Sequence, residues 1–198
     1  MENYGLCEYL AIIEPNHLVK SDIVAMKIRC RNEYGWKSSP PHLTAFNLIQ
    51  PMLSEKRLVE CFRRNIENIS PFEIDFCGFD YFSIPDYTLY LKLKDETQFS
   101  EMTSYISRFL KPVLKSVKGY PPKYNTKNAH LTIAKAISEL EFLKVWPKWE
   151  NLEYTSSTIV NQILLLRRPF TYIRARYELI GRYPFIGNGL LKRQTRLF

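Results

Sequence analysis

One short pattern occurs twice in this chain, and it constrains the fold more than any other feature of the sequence. The segments are PHLTAFNLI, which begins at Pro41, and AHLTIAKAI, which begins at Ala129. Each is followed by a helical pattern and then by two strand-like segments. The histidines of the two segments, His42 and His130, are 88 residues apart. We therefore predict that the chain contains a duplicated module.

Seven segments have the composition or the alternation of β-strands. They cover residues 9–13, 42–49, 72–82, 87–93, 129–137, 158–166 and 171–180. Adding the 88-residue spacing to the starts of the third and fourth strands gives 160 and 175, close to the starts of the last two. We therefore expect one hairpin in each half of the chain. In the final segment, alternation puts Ile173, Ala175, Tyr177 and Leu179 inward.

Four helices are predicted from the spacing of apolar residues. The first follows Ser21 as its N-cap and runs to Tyr34, where Gly35 ends it. The apolar faces of the other three are formed by Leu58, Phe62, Ile66 and Ile69; by Phe99, Met102, Ile106, Phe109 and Val113; and by Phe142, Val145 and Trp149.

The ends of these three helices have recognisable sequence signals. Ser54 is a candidate N-cap for the second helix, and Ser138 with Glu141 forms a capping box for the fourth. We expect Pro112 and Pro147 to limit the third and fourth helices, because proline lacks the amide proton that a helix interior needs.

Together these elements predict an α+β fold made of a duplicated two-lobed module. We expect antiparallel sheets that face each other across a central cleft, with the helices outside. Residues 1–198 would form a single domain of two pseudo-symmetric lobes. With 45% apolar residues, the chain can fill the core of such a domain.

The two repeated segments would place chemically useful side chains on one face of each strand. Residues two apart in a strand point the same way, so His42 projects with Thr44, and His130 projects with Thr132. The leucine between them points to the opposite face. If the lobes are related by a pseudo-twofold axis, the two pairs converge in the cleft.

Two imidazoles beside two hydroxyl groups suit phosphoryl transfer by a paired acid and base. One neutral histidine takes a proton from the attacking oxygen, and the other, protonated, gives one to the leaving oxygen. We assign His130 as the base and His42 as the acid, with the reverse order open. Thr44 and Thr132 can donate hydrogen bonds to phosphate oxygens. No P-loop, nucleophilic serine motif or metal-ligand cluster is evident, so we expect no cofactor and no metal.

The two motifs resemble those of a known family, the 2H phosphoesterases, also called the LigT or 2'-5' RNA ligase-like family. HLTA at 42–45 and HLTI at 130–133 match its two H-x-T-x motifs, and LLLRRPFTYIRARYELIGRYPF resembles its closing pair of strands. The resemblance implies a LigT-like fold and metal-free hydrolysis or formation of phosphodiesters at the ribose 2' position, commonly opening of a 2',3'-cyclic phosphate. It also implies that His42 and His130 are catalytic and that Thr44 and Thr132 bind phosphate.

Four further residues are candidates for binding the substrate. Family members often have arginine where Lys135 stands, although strand parity puts Lys135 opposite His130 unless a bulge intervenes. Arg167 and Arg168 end a strand, where they could contact a phosphate or a second nucleotide, or simply be solvated. Tyr124 could stack on a base, as could other aromatic residues near the motifs, Tyr34, Trp36 and Tyr120. For each single aromatic residue, packing in the core is the simpler interpretation.

The charge of the chain favours an anionic partner. It has 28 basic and 20 acidic residues, a net charge of +8. Residues 163–198 hold eight basic residues and one acidic residue, hence seven of the eight net charges, although a solvated tail would give the same count. The expected partner is RNA or a nucleotide with a 2',3'-cyclic phosphate or a 2'-5' linkage.

The remaining features favour a cytoplasmic monomer with no membrane contact. No apolar run reaches the length of about 20 residues that spans a bilayer. The four cysteines have no C-x-x-C spacing, which indicates buried thiols in a reducing compartment. The third histidine, His17, has no threonine after it, and we interpret it as an ordinary surface-loop residue.

Two other functions fit the same sequence. A non-catalytic protein could use the basic C-terminal strands to bind RNA or nucleotides. Alternatively, the histidines could hydrolyse cyclic oligonucleotide signals, an activity thought to occur among phage members of the family.

Overall fold

A computed structural model describes residues 5–124, 127–171 and 175–187 of the chain. Its nine strands are β1 (Leu6–Ile13), β2 (Leu43–Pro51), β3 (Phe72–Phe82), β4 (Tyr87–Leu93), β5 (Lys123–Tyr124), β6 (His130–Ile137), β7 (Thr155–Val160), β8 (Gln162–Pro169) and β9 (Glu178–Pro184). Its four α-helices are α1 (His17–Tyr34), α2 (Glu55–Ile66), α3 (Thr97–Leu110) and α4 (Glu139–Glu150), and a 3-10 turn covers Met52–Ser54.

All the strand pairs in the described residues are antiparallel, and they form one sheet. Its order is β7-β3-β4-β6-β2-β1-β8-β9, and β5 pairs with β2 beside this path. The two histidine motifs therefore lie on the two central strands, with four strands in each half of the sheet. The predicted α+β class is confirmed. The pseudo-symmetry of the two halves stays a prediction.

The sheet must be strongly curved, because chain connectivity brings its ends together. Strand β7 lies at one end of the sheet and β8 lies six strands away, a distance of about 29 Å across a flat sheet. Asn161 alone separates them, and one residue adds at most about 3.6 Å to the reach of a chain. The amide of Phe185, just after β9, donates to the Asn161 carbonyl at 2.8 Å and helps to hold this junction.

Two of the predicted strands differ from those in the structure. The segment 158–166 is not one strand, because it is divided at Asn161 between β7 and β8, which belong to opposite ends of the sheet. The last strand begins at Glu178, while residues 175–177 are irregular and 172–174 lie outside the described residues. The inward orientation predicted for Leu179 is wrong, since 48% of its surface is exposed. The predicted second hairpin is therefore replaced by the pair β8–β9.

Helix α1 begins earlier than the sequence predicted. Its N-cap is Asn16, whose side-chain oxygen accepts the Val19 amide at 3.0 Å, so Ser21 lies inside the helix. The expected stop is confirmed at Gly35, which has a left-handed backbone with φ of 68°. His17 is consequently the first residue of a helix rather than part of a loop, although its side chain is exposed as expected.

Helix α4 confirms its capping box but not its predicted end. The Ser138 hydroxyl and amide both donate to the Glu141 carboxylate, at 2.5 and 3.3 Å. The helix continues through Pro147 to Glu150. Stacking of the Phe142 and Trp146 rings, 5.5 Å apart, holds the segment around the proline in place. Packing therefore compensates for the hydrogen bond that Pro147 cannot make.

The other two helix boundaries agree better with the sequence. Helix α3 ends at Leu110, two residues before Pro112. Ser54 precedes α2, but its hydroxyl makes no capping bond. None of the helices in the described ranges is long and apolar enough to cross a bilayer.

The four helices and one face of the sheet enclose a single hydrophobic core. Its strand residues include Ile13, Leu43, Leu91 and Leu131, all nearly or fully buried. Because side chains alternate along a strand, the residues next to these leucines project from the opposite face of the sheet. The motif histidines and threonines lie on that second face, which we call the histidine face and define by His42, Thr44, His130 and Thr132.

We predict that Ser138→Ala lowers the free energy of unfolding by about 1 kcal/mol, because it removes the hydroxyl of the capping box. The midpoint of urea denaturation measures the change. Ser104→Ala, at an exposed interior position of α3, is the matched control and should be neutral or slightly stabilising. Equal midpoints for Ser138→Ala and the wild type would show that the box contributes nothing.

Candidate active site

The site is organised by the pairing of β2 with β6 at its centre. Leu43 lies opposite Leu131 in antiparallel register, and both side chains are fully buried. Continuing this register by one residue puts His42 across from Thr132, and Thr44 across from His130. Cβ atoms of directly opposed residues lie roughly 5 Å apart. One backbone pair therefore brings the four motif side chains from distant parts of the sequence onto one small surface.

Both imidazole rings are held in the same tautomer by the same kind of contact. The His42 Nδ1 atom lies 2.7 Å from the Pro40 carbonyl oxygen, and the His130 Nδ1 atom lies 2.8 Å from the Asn128 carbonyl oxygen. A carbonyl oxygen only accepts hydrogen bonds, so each Nδ1 carries a proton. The Nε2 atom of the neutral ring is then left as the acceptor. Each histidine can therefore take up or release a proton at Nε2.

Burial lowers the pKa of both histidines below that of an exposed imidazole, because the charged ring is poorly solvated. The charged neighbours of the two rings differ. Lys27, His130 and Lys135 further lower the pKa of His42. The carboxylate of Glu96 instead acts to raise the pKa of His130. His130 therefore has the environment that better tolerates a proton.

Two aromatic residues of the β3–β4 hairpin form a wall beside His130. The Phe82 ring centroid lies 4.8 Å from that of His130 in an edge-to-face arrangement, and the Tyr90 centroid lies 5.1 Å away. Phe82 and Tyr90 also stack on each other at 4.4 Å. Burial raises the pKa of Tyr90 to about 12, which keeps its hydroxyl neutral. Sequence reasoning missed both residues, since only the pairing of β4 with β6 brings them to the histidine.

A bulge turns Lys135 toward the histidine face. The register between β6 and β4 shifts between Thr132 and Ala134, and Ala134 is fully buried on the core side. Alternation then projects Lys135 from the same face as His130. The contribution of the Lys135 charge to the lowered pKa of His42 agrees with this position. The strand-parity objection to Lys135 is thereby removed.

The other motif strand has an irregularity at the equivalent place. The register between β2 and β1 shifts after Thr44, where Phe46 becomes the next paired residue. Asn47 is thereby turned to the histidine face, and its amide nitrogen donates to Glu8 Oε1 at 2.6 Å. Asn47 stands 88 residues before Lys135. The two strands thus share the same departure from regular pairing just after their motifs.

Arg168 lies on the histidine face but at a distance from the motifs. It pairs with Glu8, four residues along β1 from the Ile12 that opposes Thr44, which corresponds to about 13 Å. Its Nε atom donates to Glu8 Oε2 at 2.5 Å, and its guanidinium lies 4.6 Å from the centroid of the Tyr177 ring. Arg168 is therefore not in the immediate neighbourhood of the histidines.

Arg167 and Tyr124 lie on the core side of the sheet. Arg167 donates to both oxygens of Glu55 at 2.9 and 3.0 Å and to Glu178 at 2.6 Å. Tyr124 pairs with the fully buried Phe46, and their ring centroids are 6.0 Å apart. The structure does not bring either residue together with the histidines. Their predicted contact with substrate has no support from the geometry.

The aromatic residues before the first motif also lie elsewhere. The rings of Tyr34 and Trp36 pack with their centroids 4.5 Å apart, and both residues line an open groove of about 390 Å³ between the end of α1 and α4. None of the four motif side chains lines this groove. Across the described ranges, no three His, Cys, Asp or Glu side chains cluster in a way that could hold a metal ion.

A buried lysine, Lys27 of α1, was also missed from the sequence. Its side chain is only 5% exposed, and its Nζ atom donates to the Ser39 carbonyl at 2.6 Å. Lys27 follows Val19 and Ile23 at a spacing of four residues, so it belongs to the buried stripe of the helix. The sequence feature that could have identified it is the position of a lysine at the helical spacing of buried apolar residues. Burial, with the nearby charge of Lys135, lowers the pKa of Lys27 to about 8.

The chain belongs to the 2'-5' RNA ligase superfamily, because the model of that family matches residues 20–169, which contain both motifs. Several solved structures share the fold, and three of them illustrate the similarity. They are TT0787 of Thermus thermophilus (18% identity, TM-score 0.68, 91% of this chain and 99% of that one), E. coli LigT complexed with 3'-AMP (13%, 0.67, 91% and 98%) and a protein described as a phosphoesterase (14%, 0.58, 90% and 98%). The comparison with curated proteins gave no match. The predicted family and LigT-like fold are confirmed.

We predict that the wild type gains stability relative to Lys27→Met as pH rises from about 8 to 10.5. The folded protein holds Lys27 with a pKa of about 8, against 10.5 for an unperturbed lysine, so the unfolded chain binds more protons in this window. This gain in the free energy of unfolding is lost as pH falls through 8, because the folded and the unfolded chain then both hold the proton. The expected gain is on the order of 2 kcal/mol, measured by urea denaturation at several pH values.

The matched control for this experiment is Lys56→Met, at an exposed position on α2. It should follow the wild-type dependence on pH. If Lys27→Met also follows it, the lysine is not held in a charge-disfavouring site.

Proposed function

We propose that this protein is a phosphoesterase that uses His42 and His130, without a metal, on 2',3'-cyclic phosphates or 2'-5' phosphodiesters of RNA or oligonucleotides. One observation carries the proposal. Two half-buried imidazoles on adjacent strands have matched Nδ1 contacts, which leave both Nε2 atoms available for proton transfer. Hydrolysis of a phosphodiester needs one base and one acid near the same phosphorus atom. Membership of the 2'-5' RNA ligase superfamily supports this class of reaction.

The charged neighbours favour His42 as the base and His130 as the acid, the opposite of the order first assigned from the sequence. Lys27 and Lys135 disfavour a proton on His42, whereas Glu96 favours one on His130. In the proposed reaction, His42 Nε2 takes a proton from water as the water oxygen bonds to phosphorus. The bond from phosphorus to the leaving ribose oxygen breaks, and His130 Nε2 gives that oxygen a proton.

The threonines and Lys135 would bind the phosphate. Thr44 and Thr132 stand across the strands from His130 and His42, where their hydroxyls can donate to non-bridging oxygens. Lys135 adds a positive charge on the same face. E. coli LigT has been described in complex with phosphate, 3'-AMP and ATP, which supports a nucleotide or RNA ligand for a protein of this fold. Monomeric state, cytoplasmic location and independence of cofactors stay predictions.

We predict that His42→Ala and His130→Ala each lower turnover of a nucleoside 2',3'-cyclic phosphate by a factor on the order of 10² to 10⁴, because each removes one proton-transfer group. Product formation in the presence of EDTA is measured by chromatography. The matched control is His17→Ala, which changes the exposed third histidine and should keep full activity. Circular dichroism melting should show that all three variants fold.

The substrate panel should also contain 2'-5' linked oligonucleotides and cyclic dinucleotides. Full activity of either site variant with its preferred substrate would reject the assignment. A wild type that turns over nothing, yet binds RNA in a salt-sensitive way that survives loss of both histidines, would establish the binding protein instead. Selective turnover of cyclic dinucleotides would establish the signal-degrading enzyme.

We predict that Lys135→Met raises KM by roughly tenfold or more, because a charged hydrogen bond to phosphate contributes about 1.5–3 kcal/mol. Lys135→Arg should keep KM near the wild-type value. Lys56→Met is the control, since Lys56 is an exposed residue of α2, and it should keep the wild-type KM. An unchanged KM in Lys135→Met would remove this residue from the site.

A further inference from the structure

A hydrogen bond from the buried, positively charged Lys27 holds the loop before His42 in place. The Nζ atom of Lys27 donates to the Ser39 carbonyl at 2.6 Å. The next residue, Pro40, provides the carbonyl that holds His42 Nδ1 at 2.7 Å. Lys27 thus fixes the short segment that sets the tautomer and orientation of the His42 ring. Across the described ranges, Lys27 takes part in none of the ion pairs.

A hydrogen bond to the negatively charged Glu96 holds the loop before His130 in place. The Glu96 carboxylate, just before α3, accepts the Asn128 amide at 2.8 Å. The Asn128 carbonyl in turn accepts from His130 Nδ1 at 2.8 Å. Asn128 has a left-handed backbone with φ of 56°, a conformation that asparagine adopts more readily than most residues other than glycine. The bond from Glu96 helps to hold the residue in that conformation.

The contact of Lys27 with Ser39 and the contact of Glu96 with Asn128 have the same kind of connectivity and opposite charge. In each, a side chain in or directly before a helix binds the backbone of the loop, and a loop carbonyl accepts from the Nδ1 atom of the histidine ring. Each charge also lies near enough to act on its histidine, since Lys27 disfavours a proton on His42 and Glu96 favours one on His130. The two rings have matching hydrogen bonds at Nδ1, but the charges of Lys27 and Glu96 give them different tendencies to hold a proton.

We propose that Lys27 and Glu96 are positioning residues that give the histidine pair its direction, with Lys27 keeping His42 as the base and Glu96 keeping His130 as the acid. The inference rests on the proposed function, since it concerns the same two histidines. It adds two residues outside the H-x-T motifs. Neither is proposed to contact the reacting atoms, and each acts through the loop and the ring that it holds.

Other charged groups also face the two histidine rings. His42 is faced by Lys27 from α1, and by Lys135 and His130 from β6. His130 is faced by Glu96, and Lys92 holds the paired position on β4, with the neutral Tyr90 against the ring. Lys135 lies near both Lys27 and His42. Among these charged residues, only Lys27 and Glu96 make a described side-chain hydrogen bond to the loop before a histidine.

The first test is the dependence of kcat/KM on pH. The ascending limb reports deprotonation of the base, and the descending limb reports deprotonation of the acid. Lys27→Met removes a positive charge beside His42 and should move the ascending limb to higher pH. Glu96→Gln keeps an acceptor for Asn128 but removes the negative charge, and it should move the descending limb to lower pH. We expect each shift to be about half a pH unit or more.

The second test reads the rings directly and does not require turnover. The pKa of each histidine is followed by NMR of its Cε1 proton, assigned with His42→Ala and His130→Ala. Lys27→Met should raise the pKa of His42 selectively, and Glu96→Gln should lower that of His130 selectively. Lys27→Arg, which keeps the charge and a donor, should restore the wild-type limb and the wild-type pKa.

Matched controls separate this effect from a general change in surface charge. Lys56→Met and Glu101→Gln change exposed residues on α2 and α3 and should leave both limbs in place. The proposal is overturned if kcat falls in Lys27→Met and Glu96→Gln with neither limb moved, which is the result of a purely structural role. It is also overturned if the NMR pKa values do not move. Absence of wild-type turnover with every substrate would reject the proposed function separately, because the NMR readout stands without it.

Discussion

The site depends on one backbone pairing, that of Leu43 with Leu131 between the two central strands of the sheet. Because side chains alternate along a strand, burying these two leucines on the core side forces the histidine and threonine on either side of each one to the opposite face. A shift of one residue in this register would bury the imidazoles and expose the leucines. The hydrophobic core therefore fixes the arrangement of the histidine face.

The pairing also explains why the two halves of the site are geometrically so similar. Antiparallel strands that carry the same three-residue motif, paired at its middle residue, are related by a local twofold axis. Each ring then meets the carbonyl two residues before it, and each strand has a register shift just after its threonine. The same shift brings Asn47 and Lys135 to the histidine face, so a position that is an amide on one side is a cation on the other.

Geometric similarity alone would give two interchangeable histidines, whereas the proposed hydrolysis needs one base and one acid. The difference comes from outside the motifs. A buried lysine stands behind the loop of His42, and a glutamate stands behind the loop of His130. In a partly buried site, such charges act through a lower effective dielectric than in water, so modest changes in position have large effects on protonation. The rings of Phe82 and Tyr90 limit solvent on the His130 side.

The sequence by itself determined the local features: strands 72–82 and 87–93, the capping box of Ser138 and Glu141, the stop at Gly35, and the two motifs with their common face. These depend on alternation and on contacts within a few residues, which a linear pattern contains. Tertiary structure alone decided that residues 158–166 divide at Asn161, that Arg167 turns to Glu55, that a bulge turns Lys135 to the histidine face, and that Lys27 and Glu96 stand behind the histidines. Each of these follows from pairing between segments far apart in the chain, and a register between distant strands leaves no periodic trace in either one.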